Sequence, residues 1–341
     1  MQPSHKLSRI WIWVFLYALV LCCTSSLKAQ QAFVSLDCGA NKGYTDNNGL
    51  AWVSDNTMDT MVGNATAVTP PVYEGTVPAQ FTTIRYFPGN QTKYCYVFNG
   101  KDHGVTQGSP YLVRASFWVG VALPYDTQVN NQVKFKLLIY ADEWDEVSIV
   151  LPQTDREEMK EIYVIAVKET IDVCLAGKSI GLDIPFISSL VLRPLHSDMT
   201  SVILMAQRAR GRPLTYMQRI NYGAPSVDTY ISYQADGGGD PYDRVWKPDI
   251  QGPILTTTLL VKTNVTDRPP VRVLQTAYQP DASFNLTFSL PSASFYHFAL
   301  YYAELSMDVS MPGQRVFTLQ VVFYPFTSEK NSTGMQPRPN N

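Results

Sequence analysis

The chain has 341 residues and a formal net charge of −2, room for about two domains. Charged residues make up 16% and hydrophobic ones 45%, which excludes a disordered chain, and the near-neutral charge removes the electrostatic case for nucleic acid. The 20 tyrosines and 23 prolines favour strands and turns over helices.

Residues 1–30 read as a secretory signal. Lys6 and Arg9 precede the apolar run from Ile10 to Cys23, and Thr24, Ser25 and Ser26 follow. At 14 residues the run falls short of the roughly 20 that a membrane helix needs. Cleavage between residues 24 and 31 and secretion into the cell-wall space are expected, with an uncleaved N-terminal membrane anchor as the alternative. No membrane span beyond the signal segment is expected. Five N-x-S/T sequons, at Asn64, Asn90, Asn264, Asn285 and Asn331, agree with export as N-glycosylation sites. The mature chain keeps Cys38, Cys95 and Cys174. An oxidising compartment would join two of them, and the sequence leaves all three pairings open.

Phe33 to Asp37 opens the mature chain as a strand ended by Cys38-Gly39. Residues to about Pro78 read as loop with short strands. Phe81 to Phe87 and Tyr94 to Phe98 are strand-like, the second ending at the turn signal Asn99-Gly100. From Tyr111 to Val121 the pattern alternates, with Tyr111, Val113, Ala115, Phe117, Val119 and Val121 on one face and Arg114 and Ser116 on the other. Val133, Phe135, Leu137 and Ile139 repeat the pattern against Lys134 and Lys136. Ile162–Lys168, Thr170–Leu175 and Phe186–Leu192 complete a set of antiparallel strands, and a short helix is expected around Asp155–Glu161. The first lobe is therefore predicted to be a β-sandwich.

Residues 196–235 read as a connector, leading to Asp236-Gly-Gly-Gly239 and then Asp240-Pro-Tyr-Asp-Arg-Val-Trp246. Glycines and prolines rule out a continuous element here, yet Tyr242 and Trp246 are bulkier than a free linker needs. The stretch is predicted to be a rigid joint, with Tyr242, Asp243, Arg244 and Trp246 holding two lobes and a cleft between them. Beyond it, Phe284–Leu290 alternates, and Tyr296–Glu304 and Val316–Phe323 read as strong strands. Tyr111–Gly120 is similar to Tyr296–Leu305, and each is followed by a second strand, at 24 and 21 residues' spacing, which suggests two copies of one sandwich.

Motifs of catalysis are absent from the sequence: there is no G-x-S-x-G, and the four histidines lack partners at metal-ligand spacing. Gly177-Lys-Ser179 lacks the first glycine of a phosphate loop. The acidic run Asp142-Glu-Trp-Asp-Glu146 reads as a solvated turn with Trp144 packed inward, rather than as a calcium loop or a carboxylate pair. The basic run Arg208–Arg212 reads as an exposed connector. No cofactor and no metal are expected. Tyrosines offer both a ring face for sugar C–H groups and a hydroxyl for hydrogen bonding, so they are the better binding candidates, although most tyrosines pack in cores.

Ser35-Leu-Asp-Cys-Gly39, Thr83-Ile-Arg-Tyr-Phe-Pro88, Tyr94-Cys-Tyr96, Tyr111-Leu-Val-Arg-Ala115 and Val173-Cys-Leu175 together resemble the plant malectin-like domain. This is the tandem β-sandwich ectodomain that precedes leucine-rich repeats in many receptor-like kinases. The resemblance continues through Pro185–Pro194, Tyr242-Asp-Arg-Val-Trp246 and Tyr302-Ala-Glu-Leu305, and covers about residues 32–325. It implies an all-β fold of two tandem malectin-like sandwich lobes, here without repeats or kinase. The second lobe reads as truncated, because only 24 residues follow Phe317 whereas 58 separate Phe135 from Arg193. The expected boundaries are 31–195 for lobe one, 196–247 for connector and joint, 248–327 for lobe two and 328–341 for a tail.

The resemblance implies non-catalytic extracellular recognition of a cell-wall glycan, a peptide or a receptor-like kinase ectodomain through the inter-lobe cleft. For carbohydrate the candidates are Tyr86, Tyr111, Tyr140, Trp144 and Tyr301. Two alternatives stand beside this: a glycan-acting enzyme pairing Asp142 or Glu143 with Asp243, and a truncated receptor-kinase ectodomain without independent function.

Overall fold

The computed structural model describes residues 33–320, apart from 59–61, 69–76, 89–90, 124–130, 154–156, 178–183, 211–213, 229, 251, 264, 281–282, 284, 289 and 291–295. The signal segment, the sequons at Asn90, Asn264 and Asn331, and the tail lie outside the described residues.

In chain order the first strands are β1 (Val34–Asp37), β2 (Tyr44–Thr45), β3 (Ala51–Ser54), β4 (Asn64–Ala67), β5 (Thr83–Tyr86) and β6 (Tyr94–Asn99). Then come β7 (Pro110–Phe117), β8 (Gln132–Ile139), β9 (Asp142–Val150), β10 (Glu158–Ile165), β11 (Thr170–Gly177), β12 (Phe186–Ile187) and β13 (Ser189–Pro194). With β14 (Leu214–Thr215) they make a seven-stranded sheet in the order β14-β10-β7-β13-β1-β3-β2. A four-stranded sheet, β6-β11-β8-β9, and a three-stranded one, β12-β5-β4, face it.

Alternation explains the core. Every second residue of β8 is buried, namely Val133, Phe135, Leu137 and Ile139, and Tyr111, Val113, Ala115 and Phe117 of β7 point into the same cluster. Phe117, Phe135 and Phe186, one from each sheet, meet edge-on at centroid distances of 5.5, 5.9 and 6.1 Å. Such contacts contribute about 0.5–1.5 kcal/mol each beyond area burial. Cys95 on β6 sits directly opposite Cys174 on β11 and is bonded to it, while Cys38 is a buried free thiol. The bridge spans 79 residues, so Cys95→Ala with Cys174→Ala is expected to lower lobe-one stability by about 2–4 kcal/mol in urea unfolding. A change below about 1 kcal/mol would mean the unfolded chain gains little freedom when the bridge is removed.

Three local expectations are corrected. Glu158–Glu161 begins β10, so no helix forms there. The acidic run Asp142–Glu146 is strand, not turn: it opens β9, which pairs with β8 through the two-residue turn Tyr140-Ala141. Lys136–Glu143 at 2.6 Å and Lys134–Glu146 at 3.7 Å neutralise it across the strands. The connector holds an unexpected 11-residue helix, Thr200–Arg210, which carries Arg208 of the basic run.

The second half differs more. Here the strands are β15 (Ile220–Asn221) beside β16 (Lys247–Pro248) and β17 (Ile254–Thr256) beside β18 (Thr276–Tyr278). None of the described residues between 279 and 320 lies in a strand, so the expected strands Phe284–Leu290, Tyr296–Glu304 and Val316–Phe323 are not formed there. Their alternation is real, but a strand exists only where a neighbour takes up its backbone groups. Tyr296–Leu305 consequently does not repeat the sheet pairing of Tyr111–Gly120.

One buried carboxyl gives the fold a pH dependence. Asp37, at the end of β1, is 2% exposed and accepts a 3.0 Å hydrogen bond from the Thr83 hydroxyl. Burial pushes its pKa from 3.8 up to about 6, so the fold favours the protonated form. Its stabilising contribution is complete below pH ~4 and fades as pH rises through ~6, by at most about 3 kcal/mol. Urea unfolding at pH 4 and pH 7 should show this decline in the parent and lose it in Asp37→Asn. An identical slope in both would assign the dependence elsewhere.

Candidate functional site

Strand β7 is buried along its whole length, which an outer strand of a simple sandwich would not be. Its inner face meets the core; its outer face carries Leu112 and Arg114. The stretch 231–246 covers that outer face. Ile231 and Trp246 bond reciprocally, N–H to carbonyl, at 3.1 and 2.8 Å. Between them the Asp240 N–H donates to the Ser232 carbonyl at 2.7 Å. Gly239 is required by this fold-back, because a Cβ there would lie 1.9 Å from the Ser232 oxygen.

Asp240 organises the turn. It is fully buried, and its carboxylate accepts from the Tyr242 N–H at 2.8 Å, the Arg244 Nε at 2.9 Å and the Trp246 indole at 2.7 Å. Tyr242 packs against the Leu112, Leu195, Met199 and Ile203 cluster, which ties the turn to the helix Thr200–Arg210. Trp246 is buried with Ile231, Val273 and Tyr301. Arg244 reaches forward, donating to the Asp267 carbonyl at 2.7 Å and the Arg268 carbonyl at 2.6 Å. The joint is thus a packed plug.

Asp243 points the other way, into the sheet. Its carboxylate takes Arg193 Nε at 2.9 Å and Arg114 Nη1 at 3.3 Å, and its carbonyl accepts from Arg114 Nη2. Arg193 is fully buried and also donates to the Val34 carbonyl at 2.6 Å and the Ser35 hydroxyl at 2.9 Å. Glu161 on β10 takes the remaining side of Arg114 at 3.0 Å and an ion pair from Arg219. Burial pushes the Glu161 carboxyl up, but Arg219 and Arg114 outweigh it and hold it below the ordinary range.

Alongside the joint lies a groove of about 770 Å³, walled by Val202, Thr257, Leu274, residues 259–262, residues 265–267 and residues 297–307. Its lining is mainly aliphatic and aromatic, and Leu260 and Tyr302 stand 98% and 61% exposed. Tyr301 connects groove and plug: its ring meets Trp246 edge-on at 5.8 Å and its hydroxyl donates to Asp267. Burial and the Asp267 carboxylate push the Tyr301 phenol well above its ordinary pKa, so it stays a donor.

The five carbohydrate candidates do not share a cleft. Tyr111 is 3% exposed, with its hydroxyl donating to the Gly104 carbonyl at 3.2 Å and accepting the Thr106 N–H at 2.8 Å. Trp144 is buried in the same core. Burial corrects both, since neither ring offers a face to a sugar. Tyr86 on β5 and Tyr140 in the β8–β9 turn are half-buried on different sheets; Tyr140 holds φ 57° and donates to the Thr170 carbonyl at 3.1 Å. Only Tyr301 borders the groove. Asp142 and Glu143 belong to the four-stranded sheet, whereas Asp243 is buried outside the seven-stranded one under two arginines, so no facing carboxylate pair forms. Arg114, Arg193 and Glu161 lie outside the stretch that the sequence marks as the joint, and only the outward phase of Arg114 in its strand hints at them.

A family model described as the malectin-like domain matches residues 36–336. Over 309 residues the chain is 30% identical to a probable LRR receptor-like serine/threonine-protein kinase of Arabidopsis thaliana, covering 86% of this chain and 30% of that kinase. A second probable kinase of this kind from the same plant is 31% identical over 288 residues, with 80% and 29% covered. The chain therefore spans about a third or less of the length of these relatives. Among solved structures, the ANXUR2 extracellular domain of Arabidopsis thaliana superposes with a TM-score of 0.54 at 13% identity, covering 72% of this chain and 65% of that one. The complex of the plant peptide RALF23 with FER and LLG2 gives 0.50 at 18% identity, with 72% and 64% covered. At such identities the likeness shows the fold alone. Among the described residues no helix is long and apolar enough to cross a membrane.

Proposed function

The chain belongs to the malectin-like domain family, and from that premise we propose that it is a non-catalytic extracellular recognition module whose ligand is a peptide held in the groove beside the joint. The single observation that carries this is the pairing of an apolar groove with a rigid wall: Leu260 and Tyr302 offer contact area, while Tyr301 and Asp267 are held against the Trp246 plug. A sugar site needs ring platforms flanked by available hydrogen-bonding groups, whereas this lining is chiefly apolar and the Tyr301 hydroxyl and Asp267 are already bonded to each other. A peptide with apolar side chains fits it better. A structurally similar chain belongs to the complex of the plant peptide RALF23 with FER and LLG2, which supports the same reading.

Binding of the secreted chain to a peptide library and a glycan array tests the proposal. Tyr302→Asp and Leu260→Asp change exposed residues and should leave the fold intact while weakening peptide binding at least about tenfold. Glycan binding that survives both substitutions, with no peptide retained, would move the site to another face and restore the carbohydrate reading.

A further inference from the structure

The main chain of residues 297–303 is open. Among the described residues none of its N–H or carbonyl groups makes a hydrogen bond, whereas Ser306 and Val309 just beyond are joined in a turn. All of 297–303 line the groove, in both phases of an alternating chain, so the main chain between their side chains borders it too. The sequence there is that of a strand. Phe298, Leu300 and Tyr302 alternate and are exposed, while Ala299, Tyr301 and Ala303 fall in the other phase, with Tyr301 held against Trp246. Neither set is charged, and such aromatic stretches favour a pleated, half-buried setting. What is lacking is a neighbour to take up the backbone groups, which are unfavourable to dry unpaired beside an apolar wall.

The charges of the groove are unevenly engaged. The Asp267 carboxylate is held by Arg244 at 3.2 Å and by the Tyr301 hydroxyl. Glu304 is held by Arg315 at 2.6 Å and by the Ser306 N–H at 2.9 Å. Lys262 lines the same groove, is exposed, and has no such partner among the described residues; nor has His297. Both carboxylates are therefore spoken for, and the charge left to meet a ligand is the Lys262 ammonium.

We propose that the groove takes its ligand as an added strand: an extended peptide whose main chain pairs with residues 297–303 and whose acidic side chain meets Lys262. The inference rests on the peptide reading of the groove and names the form and the charge of that peptide. Main-chain pairing supplies affinity with little regard to sequence, and alternate apolar side chains meet the exposed Leu259 and Leu260. The carboxylate fixes the register, because a basic residue at the same place meets a like charge. Residues 297–303 thus become a strand when the groove is filled, with the missing neighbour supplied by the ligand.

The test presents the full chain with a library of peptides that alternate apolar and polar residues and carry Glu, Gln or Lys at one position. Glutamate peptides should bind the parent chain about three- to fivefold better than their glutamine counterparts. On Lys262→Glu, which changes an exposed side chain, the preference should pass to the lysine peptides. In the best binder, N-methylation of single amides should weaken binding at least about tenfold at every second residue and little in between, since a strand turns only alternate N–H groups toward its neighbour. Binding that is lost in Leu260→Asp yet shows no glutamate preference, or N-methyl losses without alternation, would overturn this proposal and leave the peptide reading standing. A glutamate preference unmoved by Lys262→Glu would also overturn it. So would a parent chain that dimerises without peptide through Leu260, because the groove would then belong to a second copy. If the library yields no binder at all, the peptide reading falls together with this one.

Discussion

Asp243→Asn is expected to destabilise the protein by about 3–5 kcal/mol, the range for breaking a buried ion pair from one side. The side chain keeps its size, so the loss comes from charge alone. Arg193 is fully buried and Arg114 nearly so, and Asp243 is the carboxylate they share. With an amide in its place, Arg114 retains Glu161, but among its side-chain bonds Arg193 keeps only a hydroxyl and carbonyls. A guanidinium held in the interior without a counter-charge is costly to desolvate. Urea unfolding with an unchanged m-value is the measurement. A loss under about 1 kcal/mol would mean that the joint lifts off and lets water reach the arginines.

Trp246→Ala is expected to cost a similar amount, about 3–5 kcal/mol, as a large-to-small change in a packed site. The indole fills the space between Ile231, Val273 and Tyr301, and its N–H satisfies Asp240. Trp246→Phe separates the two contributions: it keeps most of the ring and removes the hydrogen bond, for about 1–3 kcal/mol. Peptide binding should weaken in Trp246→Ala as well, because Tyr301 loses the ring it leans on. Unchanged thermal stability in Trp246→Ala would show that this ring adds nothing to the plug, and the two halves would then be freer to move than the packing implies.

The periodic strands were legible because a half-buried strand writes its orientation into alternate residues. β8 buries the residues its pattern names. The same phase argument excludes Tyr111 as a ligand contact, since it is in step with Val113, Ala115 and Phe117. β9 was hidden by its charges, which belong on the exposed face of an edge strand. The helix Thr200–Arg210 is written in propensity, with Leu, Met, Ala, Gln and Arg in succession, rather than in a clean apolar stripe. Recognition of the joint as a rigid element came from its aromatic residues. Its partners could not be read, because Arg114 gives no sign in its own neighbourhood that a carboxylate 129 residues away will cover it.

That distance has a consequence for how the protein is made. A chain leaving the ribosome exposes β7 and β10 long before residue 243 exists, so the strands of lobe one can pair while Arg114 and Glu161 still face water. The sheet, still without β14, then waits with one side wetted through the synthesis of the helix Thr200–Arg210 and the glycine turn. Only when Asp240 to Trp246 emerges can the outer surface dry and the arginines find their carboxylate. Lobe one is therefore finished by residues that follow it, and a fragment ending near residue 195 would leave a row of charged and apolar side chains from β7, β10 and β13 uncovered. Such a piece would be prone to retention by chaperones and to self-association, which makes docking of the joint the last step in closing lobe one.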